Sequence, residues 1–329
     1  MMQAEAIDRW WAPLAVIAFF ACCFGAVAPG YVSRYHIPLP AAAGIYLCFL
    51  LTVVLAVIPS VSALHNWQPK LWLPPLLWCL PYLAYAAGTA DFRWLALGRL
   101  LLVSAPLVVI YGLLPVRNLR RFGWQDGAIA AWLIVVVLSD RLKGIWTVPL
   151  NLDFMARLFL ISIAAWSWTF IRRVPELGYE FAFSVKTLGG AAVNFGLFAL
   201  IAIPSGLALH FIEWNPRWHG IASFCVDYLG IFLFIALLEE MFFRAFLQTL
   251  ISENLGSLNK GQLVAACLFG LFHIRHAPFP NWRYVLLATV AGWFYGSAFR
   301  AGGNLMASAL THAMVDTLWR TLFSTGPRA

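Results

Sequence analysis

The sequence predicts an all-α fold, a polytopic bundle of transmembrane helices. Of its 329 residues, 62% are hydrophobic and only 11% are charged, and the mean hydropathy is +0.80. Soluble domains are about 45–50% apolar and about 25% charged, so this chain has too few polar side chains to cover a water-soluble globule. The same composition excludes disordered, collagen-like, coiled-coil and disulfide-scaffold proteins.

Basic residues outnumber acidic residues by 22 to 14, which gives a formal net charge of +8. In a membrane protein such an excess is typical of cytoplasmic loop ends that face anionic lipid headgroups. We therefore expect these basic residues to face a lipid bilayer, and we expect no nucleic-acid partner. The densest clusters are Arg117 with Arg120 and Arg121, and Arg172 with Arg173. The six cysteines form no CxxC pair, so neither structural zinc nor a disulfide framework is expected.

Apolar runs along the chain predict the individual helices. A membrane span needs about 20 apolar residues, which gives about 8 to 11 spans here. The run at 126–139 is short, and the run at 262–274 is equally compatible with a buried or re-entrant helix. The predicted helices cover residues 11–30, 40–59, 71–88, 95–115, 126–139, 154–171, 188–210, 222–250, 262–274, 283–300 and 303–323.

Ionisable residues change their placement near residue 180. Before it, they lie near the ends of apolar runs; after it, several lie inside the runs. An ionisable side chain inside a membrane costs about 2.5 kcal/mol or more, so such groups usually line a cavity and pair with one another. The candidate functional residues selected in this way are Glu239, Glu240, Arg244, His273, His312 and Asp316.

The first motif is Glu239-Glu240-x-x-x-Arg244. Glu240 and Arg244 are four residues apart, which puts them on one helix face in a favourable order for an ion pair. Glu239 points about 100° away from that face, so it remains available as a base. The alternative is a solvated charge cluster at the end of a span.

Two further motifs follow in the last third of the chain. Phe269 and His273 are four residues apart and share a helix face, and so do His312 and Asp316. His276 follows in a proline-containing loop and is expected to be exposed. Because separate polar sites in the membrane would each carry a desolvation cost, we predict that the three motifs share one intramembrane cavity formed by the C-terminal helices.

These residue types permit two kinds of chemistry. Histidines and carboxylates can activate a water by general base catalysis and stabilise an oxyanion. They can also bind a divalent metal and use it for the same purpose. The signatures HExxH, GxGD and GxSxG of other peptidases and hydrolases are absent from the sequence.

The ordered set of three motifs resembles that of the CAAX protease and bacteriocin-processing (CPBP) family. These proteins are glutamic intramembrane endopeptidases related to the Ras-converting CAAX endopeptidase. The resemblance implies a protease core over residues 185–323, preceded by N-terminal transmembrane helices of unassigned role at 1–184 and followed by a tail at 324–329. It also implies an integral, multi-pass protein of a bacterial inner membrane.

The resemblance also implies a role for each residue. Glu239 would be the general base and would activate water together with His273, while Glu240 would pair with Arg244. His312 would stabilise the oxyanion with the residue four positions on, which is often Asn in the family and is Asp316 here. Since an ionised Asp cannot donate a hydrogen bond to an oxyanion, Asp316 is either protonated or orients His312. We favour the second role.

The predicted function is therefore hydrolysis of peptide bonds in membrane-anchored or lipid-modified polypeptides, without a required cofactor. Two alternatives remain. One is a metal-dependent membrane peptidase that uses the same residues. The other is a transporter, channel or immunity-type membrane protein that uses the polar helices for ion passage or partner binding.

Overall fold

A computed structural model describes residues 2–114 and 116–326, with side chains from Trp10 onward. The regular secondary structure of this part of the chain is almost entirely helical, which confirms the predicted all-α fold. The helices are α1 (Met2–Arg34), α2 (Leu39–Val57), α3 (Leu73–Thr89), α4 (Trp94–Leu113), α5 (Trp124–Leu138), α6 (Phe154–Trp166), α7 (Val185–Ala208), α8 (Ile221–Leu255), α9 (Leu258–Phe272), α10 (Trp282–Gly302) and α11 (Leu305–Leu322).

Six helices of the described part are long and apolar enough to cross a membrane, so the protein is a polytopic membrane protein. The number is lower than the predicted 8 to 11 spans because α5 and α9 are apolar but short. Helix α11 also carries ionisable residues of the candidate site, which lowers its hydropathy. The six spans are Trp10–Arg34, Leu39–Ser60, Trp94–Leu113, Phe154–Ile171, Val185–Ala208 and Ile221–Leu255.

The chain divides into two compact units. The first consists of Met1–Leu119 and Gly123–Pro175 and contains α1 to α6. Within it, α2 and α3 pack closely where two glycines face each other. A Cβ atom at Gly44 would lie 2.7 Å from the Cα of Gly88. Small residues of this kind allow membrane helices to approach closely.

Arg172 does not lie in an exposed cytoplasmic loop, where the charge pattern puts it. Its side chain is fully buried and forms a bidentate ion pair with Asp126, with Nε 2.8 Å from Oδ1 and Nη2 3.0 Å from Oδ2. The Tyr111 hydroxyl donates a third hydrogen bond to this carboxylate at 3.0 Å. Because a buried charge must be compensated, Arg172 turns inward to the one carboxylate at the start of α5.

The second unit consists of Arg120–Phe122 and Glu176–Ala329 and contains α7 to α11. It includes a two-stranded antiparallel sheet of β1 (Ile212–Trp214) and β2 (Phe323–Thr325). The sheet connects the segment after α7 to the end of α11. The predicted division at residues 184 and 323 stays a prediction.

Helix α8 is wider than an α-helix on both sides of the paired carboxylates. It is π-helical at Phe232–Ala236 and again at Met241–Gln248, with a short α-helical stretch, Leu237–Glu240, between them. Such π-helical segments occur frequently at functional sites. The sequence predicts an uninterrupted helix here and gives no signal for the change of pitch.

Glycines also fix α9 against α10. A Cβ atom at Gly270 would lie 2.7 Å from the Val285 carbonyl oxygen, and one at Gly292 would lie 3.1 Å from the Cα of Ala266. The two helices therefore pack almost backbone to backbone. This packing positions the C-terminal end of α9, where His273 lies.

Candidate active site

Glu240 is the centre of the polar cluster in the second unit. Its side chain is fully buried, and Arg244 Nε lies 3.0 Å from its Oε2 atom. His312 Nδ1 lies 2.8 Å from Oε1, and the Ser308 hydroxyl donates a hydrogen bond to Oε2. The ion pair expected from the i and i+4 spacing is therefore present, and two contacts from α11 join it.

Arg244 is held by charge and by aromatic rings. Its guanidinium carbon lies 4.9 Å from the ring centre of Phe269, 5.7 Å from that of Tyr295 and 5.8 Å from that of Phe243. These are cation–π distances. Among the described residues none of its three nitrogens has a hydrogen-bond partner, so its 3.0 Å contact with Glu240 is a charge–charge contact.

His312 lies between three carboxylates. Its Nδ1 faces buried Glu240, whereas its Nε2 lies 3.5 Å from Oδ2 of Asp316 and 4.0 Å from Oε2 of Glu239. The two latter side chains are 34% and 26% exposed. An ionised carboxylate can only accept hydrogen bonds, so Nδ1–H of His312 donates to Glu240. Its Nε2 faces Asp316 and Glu239, the two partly exposed carboxylates.

Tyr295 of α10 supports the His312 ring. The two rings stack with centres 4.6 Å apart and an interplanar angle of 14°. Tyr295 is only 2% exposed, and its ring also contacts Phe269 at 5.8 Å. The imidazole is therefore held between an aromatic plane and the carboxylates, which restricts it to one orientation.

His273 lies immediately after α9 and is half-buried. Its Nδ1 lies 2.8 Å from the Phe269 carbonyl oxygen. Because a carbonyl oxygen only accepts, Nδ1 carries the proton, and Nε2 of the neutral ring has a free lone pair. Nε2 is thus the basic nitrogen.

Phe269 connects the two histidines. Its ring centre lies 4.8 Å from that of His273 and 5.8 Å from that of His312. The structure thus brings the α9 motif to the cluster formed by α8 and α11.

Two residues next to His273 were not selected from the sequence as functional. His276 is exposed, as expected, but its ring stacks on His273 with centres 5.7 Å apart and an angle of 19°. Tyr284, in the first turn of α10, lies 4.7 Å from His273 and 4.8 Å from His276. No motif in the sequence indicates these contacts.

A metal site was the alternative use of the same residues. Among the described side chains, no three from His, Cys, Asp and Glu are grouped as ligands of one cation. A chelator test decides between the alternatives. Activity that is lost with a chelator and restored by a divalent cation would support the metal-dependent peptidase.

Residues 221–318 match the Rce1-like family, described as type II CAAX prenyl endopeptidase Rce1-like. The predicted resemblance is thereby confirmed for this segment. No curated protein and no solved structure matches the chain. The Rce1-like segment begins at α8, ends within α11 and contains all six predicted site residues. The family supports an intramembrane endopeptidase, and therefore a hydrolase.

Proposed function

We propose that the protein hydrolyses peptide bonds of membrane-associated polypeptides with a water molecule that Glu239 and His273 activate. The observation that carries the proposal is the position of His312, which contacts Glu240 and lies within 4.0 Å of Glu239 inside the Rce1-like segment. This contact joins two of the three sequence motifs in one polar cluster. A peptidase needs such a cluster to act on one carbonyl group.

The two adjacent glutamates are suited to different tasks. Glu240 is buried and compensated by Arg244, so it is not accessible to water. Glu239 is partly exposed, and its Oε2 atom lies 4.0 Å from Nε2 of His312. In the proposed reaction Glu239, assisted by the free Nε2 of His273, accepts a proton from the attacking water. The water oxygen bonds to the substrate carbonyl carbon, and the carbonyl π electrons move to its oxygen. When this oxyanion re-forms the carbonyl group, the C–N bond breaks and Glu239 donates the same proton to the nitrogen that leaves.

His312 is suited to stabilise the oxyanion. When the imidazole is protonated, its Nδ1–H donates to Glu240 and its Nε2–H points towards the partly exposed Asp316 and Glu239. The Asp316 carboxylate, whose Oδ2 atom lies 3.5 Å from Nε2, attracts the protonated ring and so orients it before the substrate carbonyl binds. A donor fixed in this way stabilises charge that develops in the transition state.

The substrate class follows from the membrane setting and from the family description. The site residues lie in helices of a membrane protein or directly at a helix end, so a polypeptide that is membrane-anchored or lipid-modified reaches them from the bilayer or its surface. The matched family is one of prenyl endopeptidases, which favours lipid-modified polypeptides. No metal takes part in the proposed mechanism, and a bacterial inner membrane is the proposed location.

Glu239→Gln is the deciding variant. The test compares cleavage of a prenylated peptide by the purified full-length protein in liposomes with cleavage by Glu239→Gln. Loss of the base should lower the rate at least about 100-fold, since general base catalysis contributes about 10²–10⁴-fold. Glu253→Gln, an exposed position on the same helix, is the matched control and should cleave normally. Cleavage by Glu239→Gln at the wild-type rate would show the mechanism to be wrong.

A further inference from the structure

The first unit contains an apolar pocket that lies outside the polar cluster. Its volume is about 450 Å³, which is within the range of about 300–1,000 Å³ found for ligand pockets. One wall is formed by Leu51, Val54 and Leu55 of α2 and by Ile58, which directly follows α2. These residues are spaced as i, i+3, i+4 and i+7, so they lie along about 10 Å of helix.

The pocket is also lined by Trp67 and Trp166, and the indole N–H of Trp166 has a hydrogen-bond acceptor within the protein. Pro59 has no N–H, so the Leu55 carbonyl lacks the usual helical donor. Trp166 supplies it, and its Nε1–H donates to that oxygen at 2.7 Å. Trp67 packs edge-on against Trp166 at 5.6 Å. No polar surface lines the pocket, so it is suited to a hydrocarbon chain.

The pocket lies at one end of a membrane span. α2 belongs to the span Leu39–Ser60, and the pocket uses its last turns. The following segment is exposed and polar and includes His65, Gln68 and Lys70 on either side of Trp67. Tryptophan and lysine in this arrangement are typical of the level of lipid headgroups. A ligand with an apolar chain and an acidic head would match both parts.

We propose that this pocket binds one acyl chain of an anionic phospholipid, with the lipid phosphate near Lys70. Lipid tails are as apolar as the pocket, so moving a chain from the bilayer brings no hydrophobic gain. Retention therefore depends on contact between the acyl chain and the two tryptophans, and on attraction between the headgroup and Lys70. The pocket should for this reason distinguish lipids by headgroup charge.

The proposal is tested by native mass spectrometry of the full-length protein in a mild detergent. The probes are palmitoyl-oleoyl phosphatidylglycerol, the zwitterionic phosphatidylcholine with the same chains, and a farnesylated peptide. Wild-type protein should retain one phosphatidylglycerol, at least fivefold more than phosphatidylcholine. Equal retention of the two phospholipids, or retention of the farnesylated peptide alone, would overturn the proposal.

Val54→Trp should fill the pocket and reduce phosphatidylglycerol retention at least tenfold. Leu47→Trp is the matched control, because Leu47 is 46% exposed on the same helix and does not line the pocket. Unchanged retention in a folded Val54→Trp protein, or the same loss in the control, would refute the site. If Val54→Trp does not fold, Lys70→Glu at the surface replaces it. That variant should abolish the preference for phosphatidylglycerol, and a preserved preference would equally refute the proposal.

Discussion

The Nδ1 atom of His312 lies 2.8 Å from Oε1 of Glu240, and this contact joins α11 to the short α-helical stretch Leu237–Glu240 of α8. Glu240 accepts in addition from Ser308 and pairs with Arg244. One buried carboxylate thus connects the two helices that carry most of the candidate site. Its contribution to folding can be measured separately from its contribution to catalysis.

Glu240→Gln should destabilise the protein and lower its activity. The amide can still hydrogen-bond to His312 and Ser308, but the charge of Arg244 remains buried without compensation. Removing one partner of a buried ion pair costs about 3–5 kcal/mol. Chemical unfolding in detergent measures this change, and Glu253→Gln is the control. An unfolding free energy within about 0.5 kcal/mol of wild type, the range of ordinary surface substitutions, would contradict the proposed role of the pair.

The pairing of Glu240 with Arg244 should appear as a coupling energy. Arg244→Met leaves the carboxylate without its cation, whereas Glu240→Gln with Arg244→Met removes both charges. The loss of unfolding free energy in the double variant should therefore be smaller than the sum of the losses in the two single variants, by about 1–3 kcal/mol. The same unfolding measurements on the four proteins give this value. Strict additivity would mean that the 3.0 Å contact contributes no pairwise energy.

Long apolar runs were sufficient to predict the helices. The predicted helix at 283–300 corresponds to α10 (Trp282–Gly302), and that at 188–210 corresponds to α7 (Val185–Ala208). Hydropathy predicts such elements because burial in lipid requires a continuous apolar segment. Hydropathy does not indicate the pitch of a helix, so the π-helical segments on either side of Leu237–Glu240 were missed.

Spacing within a helix predicted contacts on one helix only. The Glu240–Arg244 and His312–Asp316 pairs follow from residues four apart. Contacts between helices depend on how the helices cross, and local sequence patterns do not predict the crossing geometry. The hydrogen bond from Ser308 to Glu240 and the stacking of Tyr295 on His312 were therefore not predicted.

Asp316→Asn and Asp316→Ala should differ in activity. An asparagine can still accept from Nε2 of His312 through its carbonyl, and its amide can donate to an oxyanion, so we expect a rate within about tenfold of wild type. Alanine removes the group that orients His312, and a misplaced His312 loses its oxyanion interaction, which costs about 10²–10³-fold in rate. Cleavage rates at saturating peptide measure the difference. Equal rates for the two variants would mean that Asp316 does not orient His312.

His273 and His276 should respond differently to the same substitution, although their rings stack. His273→Ala removes the nitrogen that assists Glu239, and a positioned base contributes about 10²–10⁴-fold, so we expect a loss of at least 100-fold. His276→Ala removes only an exposed ring that packs on His273. Its effect should stay below about tenfold, since an aromatic pair of this kind is worth about 0.5–1.5 kcal/mol. Single-turnover cleavage of a prenylated peptide, with unfolding checked in parallel, separates the two. If His276→Ala lost as much activity as His273→Ala in a folded protein, the basic nitrogen would have to be assigned to His276 instead.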